Sequence, residues 1–173
     1  RHEYKRLGEI DFVVCGPEGL FVLEVKGGGV ACRDGAWETR NRYGETERLK
    51  ESPFKQAEGA MHGLSKKIPQ RLLSKFAIGY GVIAPDTGGF PSSAEWDREQ
   101  LADAKDFRQF EKWIHSLVGH WRKKDGRDRV ADPVVLQELR QLLRPDFEAA
   151  IPLHVSANDV ESRIARLTED QLR

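Results

Sequence analysis

The chain has 173 residues, enough for one substantial core and a small addition. Its 28 Lys and Arg balance 28 Asp and Glu, so net charge gives no general affinity for polyanions and any nucleic-acid contact must come from local patches. No apolar run is long enough to span a membrane, no signal peptide is visible, and Cys15 and Cys32 are too few for a disulfide framework or a metal knuckle, which fits a reducing cytoplasm.

Ile10–Cys15 and Leu20–Lys26 both have strand character, and Gly16-Pro17-Glu18-Gly19 between them suits a type I turn, with Pro second and Gly fourth. The spacing predicts an antiparallel hairpin in which Cys15 pairs with Leu20. Counting outward, Val13 faces Val22, Asp11 faces Glu24 and Glu9 faces Lys26, so the four charged groups project from one face. Two opposed carboxylates destabilise a hairpin unless positive charge lies between them. Oxygen ligands of this kind suit a divalent cation such as Mg²⁺ or Mn²⁺. A Glu-x-Lys on its own is commonly just a solvated face. Here Phe12, Val14, Phe21, Leu23 and Val25 fill one side of the hairpin, and Val13 and Val22 line the other. That composition predicts a central hairpin with both walls buried and a charged patch at one end.

Gly27-Gly28-Gly29 closes the second strand. Val30–Arg33, the Asp34-Gly35 pair and Ala36–Thr39 predict a second hairpin, and the polar stretch Asn41–Glu51 reads as a loop near a nucleic-acid face. Ser52 is a natural N-cap and Pro53 a natural first residue for a helix whose stripe Phe54, Ala57, Met61, Leu64 and Ile68 faces the core. Gly59 and Gly63, one turn apart, either admit another backbone or pack tightly on the sheet. Lys66, Lys67, Arg71 and Lys75 form one basic patch; Arg122-Lys123-Lys124 with Arg127 and Arg129 form another. Such runs are solvated surface unless the fold gathers them around Asp11 and Glu24.

Phe76–Ile83 reads as a core strand, and Asp86 after Pro85 as a turn former that could also approach the charged patch. Trp96 is expected over a sheet edge. A helix over Asp106–Arg122 carries Phe107, Phe110, Trp113, Ile114, Leu117 and Trp121 at helical spacing, which marks core rather than a base-stacking platform. His62, His115 and His120 receive no role. Lys123–Arg129 is a charged, Gly-containing break and the expected boundary, with one domain over 1–122 and a linker and helical segment over 123–173. In that segment Pro133–Leu143 is a short amphipathic helix stopped by Pro145, and a further capped helix begins near Ser156.

Asp11 followed by Glu24-Val25-Lys26 resembles the D…(D/E)-x-K core of the PD-(D/E)XK nuclease superfamily. More narrowly, Gly8-Glu9-Ile10-Asp11, the Gly16–Gly19 turn, Glu24-Val25-Lys26-Gly27-Gly28 and Ser52-Pro53-Phe54-Lys55-Gln56-Ala57 resemble the nuclease-related, or NERD, domain over roughly residues 1–120. The resemblance implies an α/β fold: a restriction-endonuclease-like mixed sheet of four or five strands flanked by helices, here with a short helical C-terminal extension. It also implies a metal-dependent deoxyribonuclease. Asp11 and Glu24 would hold Mg²⁺ or Mn²⁺ with the backbone carbonyl of Val25, and Lys26 would orient or help deprotonate the attacking water and offset phosphate charge. Gln56 lies on a helix that the family places beside the site, where its amide would bind a water or the DNA backbone. Glu9 either adds a carboxylate or pairs with Lys26 and fixes it, the second role being slightly favoured. Lys66, Lys67 and Arg71 are the candidate nucleic-acid contacts.

Members of the wider superfamily often draw another acidic residue from a helix before the Asp strand. With few residues ahead of Gly8 and no initial Met, the expectation is a fragment of a longer protein, with any such carboxylate upstream. Leu167–Arg173 resembles the stretch before the phosphate-binding loop of superfamily 1 helicases, in which a Gln at the position of Gln171 recognises adenine. The loop itself, G-x-x-x-x-G-K-[ST], is absent. The expectation is the nuclease part of a nuclease–helicase used in DNA repair or phage defence. Two alternatives stay open. One is a catalytically silent DNA-binding module. The other is an interaction scaffold or homo-oligomer that docks through Leu136, Leu139, Leu142 and Leu143.

Overall fold

The computed structural model describes residues 9–126 and 129–144. The first hairpin has the expected register: β1 (Phe12–Gly16) and β2 (Gly19–Val25) run antiparallel, with Cys15 opposite Leu20 and Val13 opposite Val22. β3 (Gly29–Arg33) and β4 (Ala36–Arg40) form the second. Its Asp34-Gly35 turn has φ values of 50° and 74°, the paired positive angles of a type I′ turn. A further strand, β5 (Thr46–Arg48), pairs with β4 inside the stretch expected to be a loop. All three of its residues are exposed, so it carries no apolar signature. Asn41 sets up the pairing: its Oδ1 accepts from the N–H groups of Tyr43 at 2.9 Å and Glu45 at 3.1 Å.

α1 (Pro53–Ser65) starts where its cap requires, with Ser52 Oγ accepting from the Lys55 N–H at 3.1 Å. Phe54, Ala57, Ala60 and Met61 are its buried face. The helix stops before Ile68, which is buried beyond it, ahead of the one-turn α2 (Gln70–Leu73). Gly59 and Gly63 face open space among the described residues, and there they serve neither close backbone approach nor packing on the sheet. β6 (Ile78–Ile83) lies parallel to β2, and the two-residue β7 (Leu101–Ala102) parallel to β6. The result is a four-stranded mixed sheet in the order β1-β2-β6-β7 beside a three-stranded antiparallel sheet β3-β4-β5, flanked by helices as the motifs imply.

The hairpin is not walled on both sides. Leu20, Phe21, Val22 and Leu23 of β2 are buried, but among the described residues β1 is an edge strand, and its Phe12 is 60 % and Val13 39 % exposed. α1 and α4 (Phe110–Asp125) both lie over β2 and β6, and among the described residues neither helix covers the start of β1. Asp103 caps a separate turn, α3 (Ala104–Phe107), by accepting from the N–H groups of Lys105 and Asp106 at 2.8 and 3.1 Å. The helix expected from Asp106 therefore begins at Phe110, and Phe107 and Phe110 remain exposed while Trp113 and Leu117 are buried against Leu23, Ile83 and Ala102. α4 runs on to Asp125 and ends on Gly126 at φ 68°, so much of the expected break is its last turn. α5 (Pro133–Leu143) buries Leu136 and Leu139 with Leu20, Leu72 and Phe76, which removes those two leucines from any docking face. The described residues as far as Leu143 make one compact unit. Arg127, Pro145, the Ser156 helix and the helicase-like Leu167–Arg173 lie outside the described residues.

Trp121 of α4 lies across β6, its indole N–H donating to the Tyr80 carbonyl at 2.8 Å. A Cβ on Gly79 would overlap that indole ring. Gly79→Ala is expected to cost about 1–3 kcal/mol of overpacking, read as a lowered urea midpoint at unchanged slope. An unchanged midpoint would mean that Trp121 swings aside freely.

Candidate active site

β2 carries six apolar or glycine residues and one charge, as expected of an inner strand whose faces are covered by helices. That charge is Glu24, opposite Val82 of β6 and only 7 % exposed, the one buried ionisable carboxylate among the described residues. Asp11 lies just ahead of β1, and its Oδ2 accepts from the Val25 N–H at 2.7 Å, fixing the carboxylate across the hairpin. Lys26 follows β2. Its N–H continues the ladder to the Ile83 carbonyl at 2.8 Å, and its Nζ reaches Glu24 Oε1 at 2.6 Å. Glu24, not Glu9, is therefore the carboxylate that fixes Lys26.

Gln56 enters from α1. The cap at Ser52 and the burial of Phe54 and Ala57 set its place in the first turn. Phe54 stacks on Trp96 with centroids 4.6 Å apart, and Trp37 meets both rings edge-on, so the helix start is held rigidly. Trp96 thus covers the junction with the second sheet. Gln56 Oε1 is buried and has no hydrogen-bond partner among the described residues. Together Glu9, Asp11, Glu24, Val25, Lys26, Glu51 and Gln56 line a cleft of about 330 Å³. Glu51 was not expected. It sits just ahead of the N-cap in a stretch too polar to suggest more than loop, and only the start of α1 beside β2 brings it in.

Four carboxylates in this cleft face one ammonium. Burial pushes the Glu24 carboxyl above the usual carboxylate range; Lys26 pulls it back, and Asp11 and Glu9 add to the upward push. Such a cleft repels a phosphodiester unless a cation intervenes. Among the described residues no three His, Cys, Asp or Glu side chains are grouped closely enough to form a metal centre alone. Asp11 and Glu24 each spend one carboxylate oxygen internally and have the other to offer, and the orphaned Gln56 oxygen would accept from a water in the cleft. This set suits a hard divalent ion that takes one or two carboxylates and keeps several waters.

The loop leaving the cleft is clipped from β6. Asp86 Oδ2 accepts from the Gly28 N–H at 2.8 Å, while Thr87 Oγ1 accepts from Val30 N–H and donates to the Gly28 carbonyl, both at 2.9 Å. Asp86 therefore positions the backbone after Lys26 rather than lining the cleft. Gly28 is needed there: its φ is 78°, and a Cβ would overlap the Arg40 carbonyl. The basic candidates are not brought to the site. Lys66 and Lys67 sit past the far end of α1, about 15 Å along the helix from Gln56. Arg71 is paired with Glu138. In the second patch Arg122 pairs with Glu18, Lys124 with Asp97 and Arg129 with Asp125.

Residues 1–84 match the family model of the nuclease-related domain, NERD. The matched segment contains every residue that lines the cleft. No curated protein and no solved structure matches the chain.

The raised Glu24 value has a thermodynamic sign. Its folded state holds the proton more tightly than the unfolded state, so its contribution is full at low pH and is lost as pH rises through the window just above the ordinary carboxylate range. Without metal, wild type should lose thermal stability relative to Glu24→Gln across that window and then run parallel to it. Melting curves from pH 4 to 8 test this; a constant difference would contradict it.

Proposed function

We propose that this protein is a divalent-metal-dependent nuclease of the PD-(D/E)XK type that hydrolyses phosphodiester bonds of DNA. The observation that carries the proposal is the meeting of Asp11, Glu24, Lys26 and Gln56 in one acidic cleft, inside a segment matched to a nuclease-related family. Asp11 and Glu24, with the Val25 carbonyl, would hold Mg²⁺ or Mn²⁺. The ion supplies Lewis-acid polarisation of the scissile phosphate and a cation for the charge that develops on it.

The chain's own residues do the rest. Lys26 is held by Glu24 at 2.6 Å, which aims its ammonium at the cleft rather than at solvent. From there it orients the attacking water and offsets charge on the phosphate. Gln56 Oε1 accepts a hydrogen from a water in the cleft and so keeps that water in line. Glu9, exposed at the rim, and Glu51 tune the local charge. A covalently linked helicase, and a role in DNA repair or phage defence, belong to the same proposal and rest on the resemblance of Leu167–Arg173 alone.

Labelled single- and double-stranded DNA should be cut by the protein in Mg²⁺ or Mn²⁺ and not in EDTA. Asp11→Ala and Lys26→Ala are each expected to lower the rate by about 10²-fold or more. Retention of DNA without cleavage by any form would instead point to a silent binding module.

Gln56 gives a separate test. Gln56→Leu removes a buried unpartnered acceptor and should stabilise the metal-free protein by about 1 kcal/mol. The same change should weaken Mn²⁺ binding about 10- to 100-fold in calorimetric titration. Mn²⁺ affinity equal to wild type would remove Gln56 from the site.

A further inference from the structure

The second sheet has two unlike faces. Residues opposite one another in a ladder share a face, so Trp37, with its neighbour Val30 across from Thr39, turns inward onto Phe54 and Trp96. The other face collects three arginines from three strands. Arg33 lies opposite Ala36, Arg40 opposite Gly29, and Arg48 opposite Glu38. Arg33 pairs with Glu38 at 2.8 Å yet is 73 % exposed. Arg40 and Arg48 are exposed and have no ion pair among the described residues. Gly29 leaves room for Arg40 to lie flat, its Nε 3.7 Å from where a Gly29 Cβ would stand.

The turn between β4 and β5 ends this face in an aromatic. Tyr43 is 75 % exposed, the most exposed aromatic among the described residues. Asn41 pins the turn through Tyr43 and Glu45, and Arg42 covers one side of the Tyr43 ring at 5.0 Å. The sheet is also continuous with the cleft at both ends: Gly29 follows Lys26 by three residues, and Arg48 precedes Glu51 by three.

We infer that the outer face of β3-β4-β5 is a binding platform for a single nucleic-acid strand, with Arg33, Arg40 and Arg48 on its phosphates and Tyr43 stacked on an unpaired base. The identity of the partner rests on the nuclease reading of the adjoining cleft. Three guanidiniums outnumber the Glu38 and Asp86 carboxylates that border this face, and the excess complements a polyanion. The ring decides the class: a base offers it a π face, which an acidic peptide lacks, and only an unpaired base has that face free. The platform also answers a need of the cleft, which is acidic and cannot itself attract a strand.

The test is fluorescence anisotropy of the full chain with labelled oligo-dT in EDTA, where nothing is cut, as a function of salt. Arg40→Ala/Arg48→Ala should weaken binding about 10-fold or more and lower the log–log salt slope by about 1.4, roughly 0.7 for each phosphate. Arg40→Lys/Arg48→Lys should keep the slope. Tyr43→Ala should weaken oligo-dT about 5- to 100-fold with the slope intact, and leave blunt duplex unaffected. Circular-dichroism melts check that each variant folds. Oligo-dT bound equally by wild type and variants, or not bound by wild type, overturns the platform. So does poly-glutamate that competes fully with oligo-dT and is insensitive to Tyr43→Ala. Wild type that cuts in Mn²⁺ while the variants bind unchanged sinks the platform and leaves the nuclease reading standing. Wild type that binds with the expected Arg and Tyr dependence but never cuts keeps the platform and sinks the nuclease reading.

Discussion

A carboxylate buried in the middle of a sheet is the constraint around which the rest is arranged. Glu24 sits in β2 among apolar neighbours, where an ionised group is costly to desolvate. Lys26 offsets part of that cost from two residues away, the spacing that returns a side chain to the same face of an extended chain. The parallel pairing of β2 with β6 then brings the ends of both strands to one edge. That is why the Lys26 N–H finds Ile83, and why Asp86 and Thr87 can hold the backbone beyond it. Side chains with chemistry collect outside the carboxyl ends of parallel strands, as open α/β sheets commonly arrange them.

What was legible in the sequence was local and strongly encoded. The four-residue turn at Gly16–Gly19 fixed the hairpin register, and the register placed Asp11 beside Glu24 and Val25. Ser52-Pro53 fixed where α1 starts, hence where Gln56 stands. Asp34-Gly35 demanded two positive φ angles and has them.

What was not legible depended on which surface another element covers. The apolar content of β1 suggested a central strand, but centrality depends on having neighbours on both sides, and among the described residues only β2 pairs with it. β5 has no buried side chain and is held by backbone pairing alone, so no periodicity betrays it. Glu51 joins the cleft through tertiary placement, without any spacing relation to Glu24. The basic runs were visible as composition, yet the partners Glu138, Glu18 and Asp97 lie far off in sequence, and Asp125 neutralises Arg129 from within its own run. Arg33, Arg40 and Arg48 form no run at all, and become a set only once three strands are aligned.

The layer behind the sheet separates what can be recognised from what can fold. All the cleft residues precede Ala84, where the family match ends. Yet Leu23 and Ile83 are covered by Ala102, Trp113 and Leu117, and Leu20 is covered in part by Leu136 and Leu139. A polypeptide ending at Ala84 would keep the whole chemical signature and expose the back of the sheet that displays it. The stretch that covers the sheet is therefore longer than the stretch its motifs mark, and reaches α5.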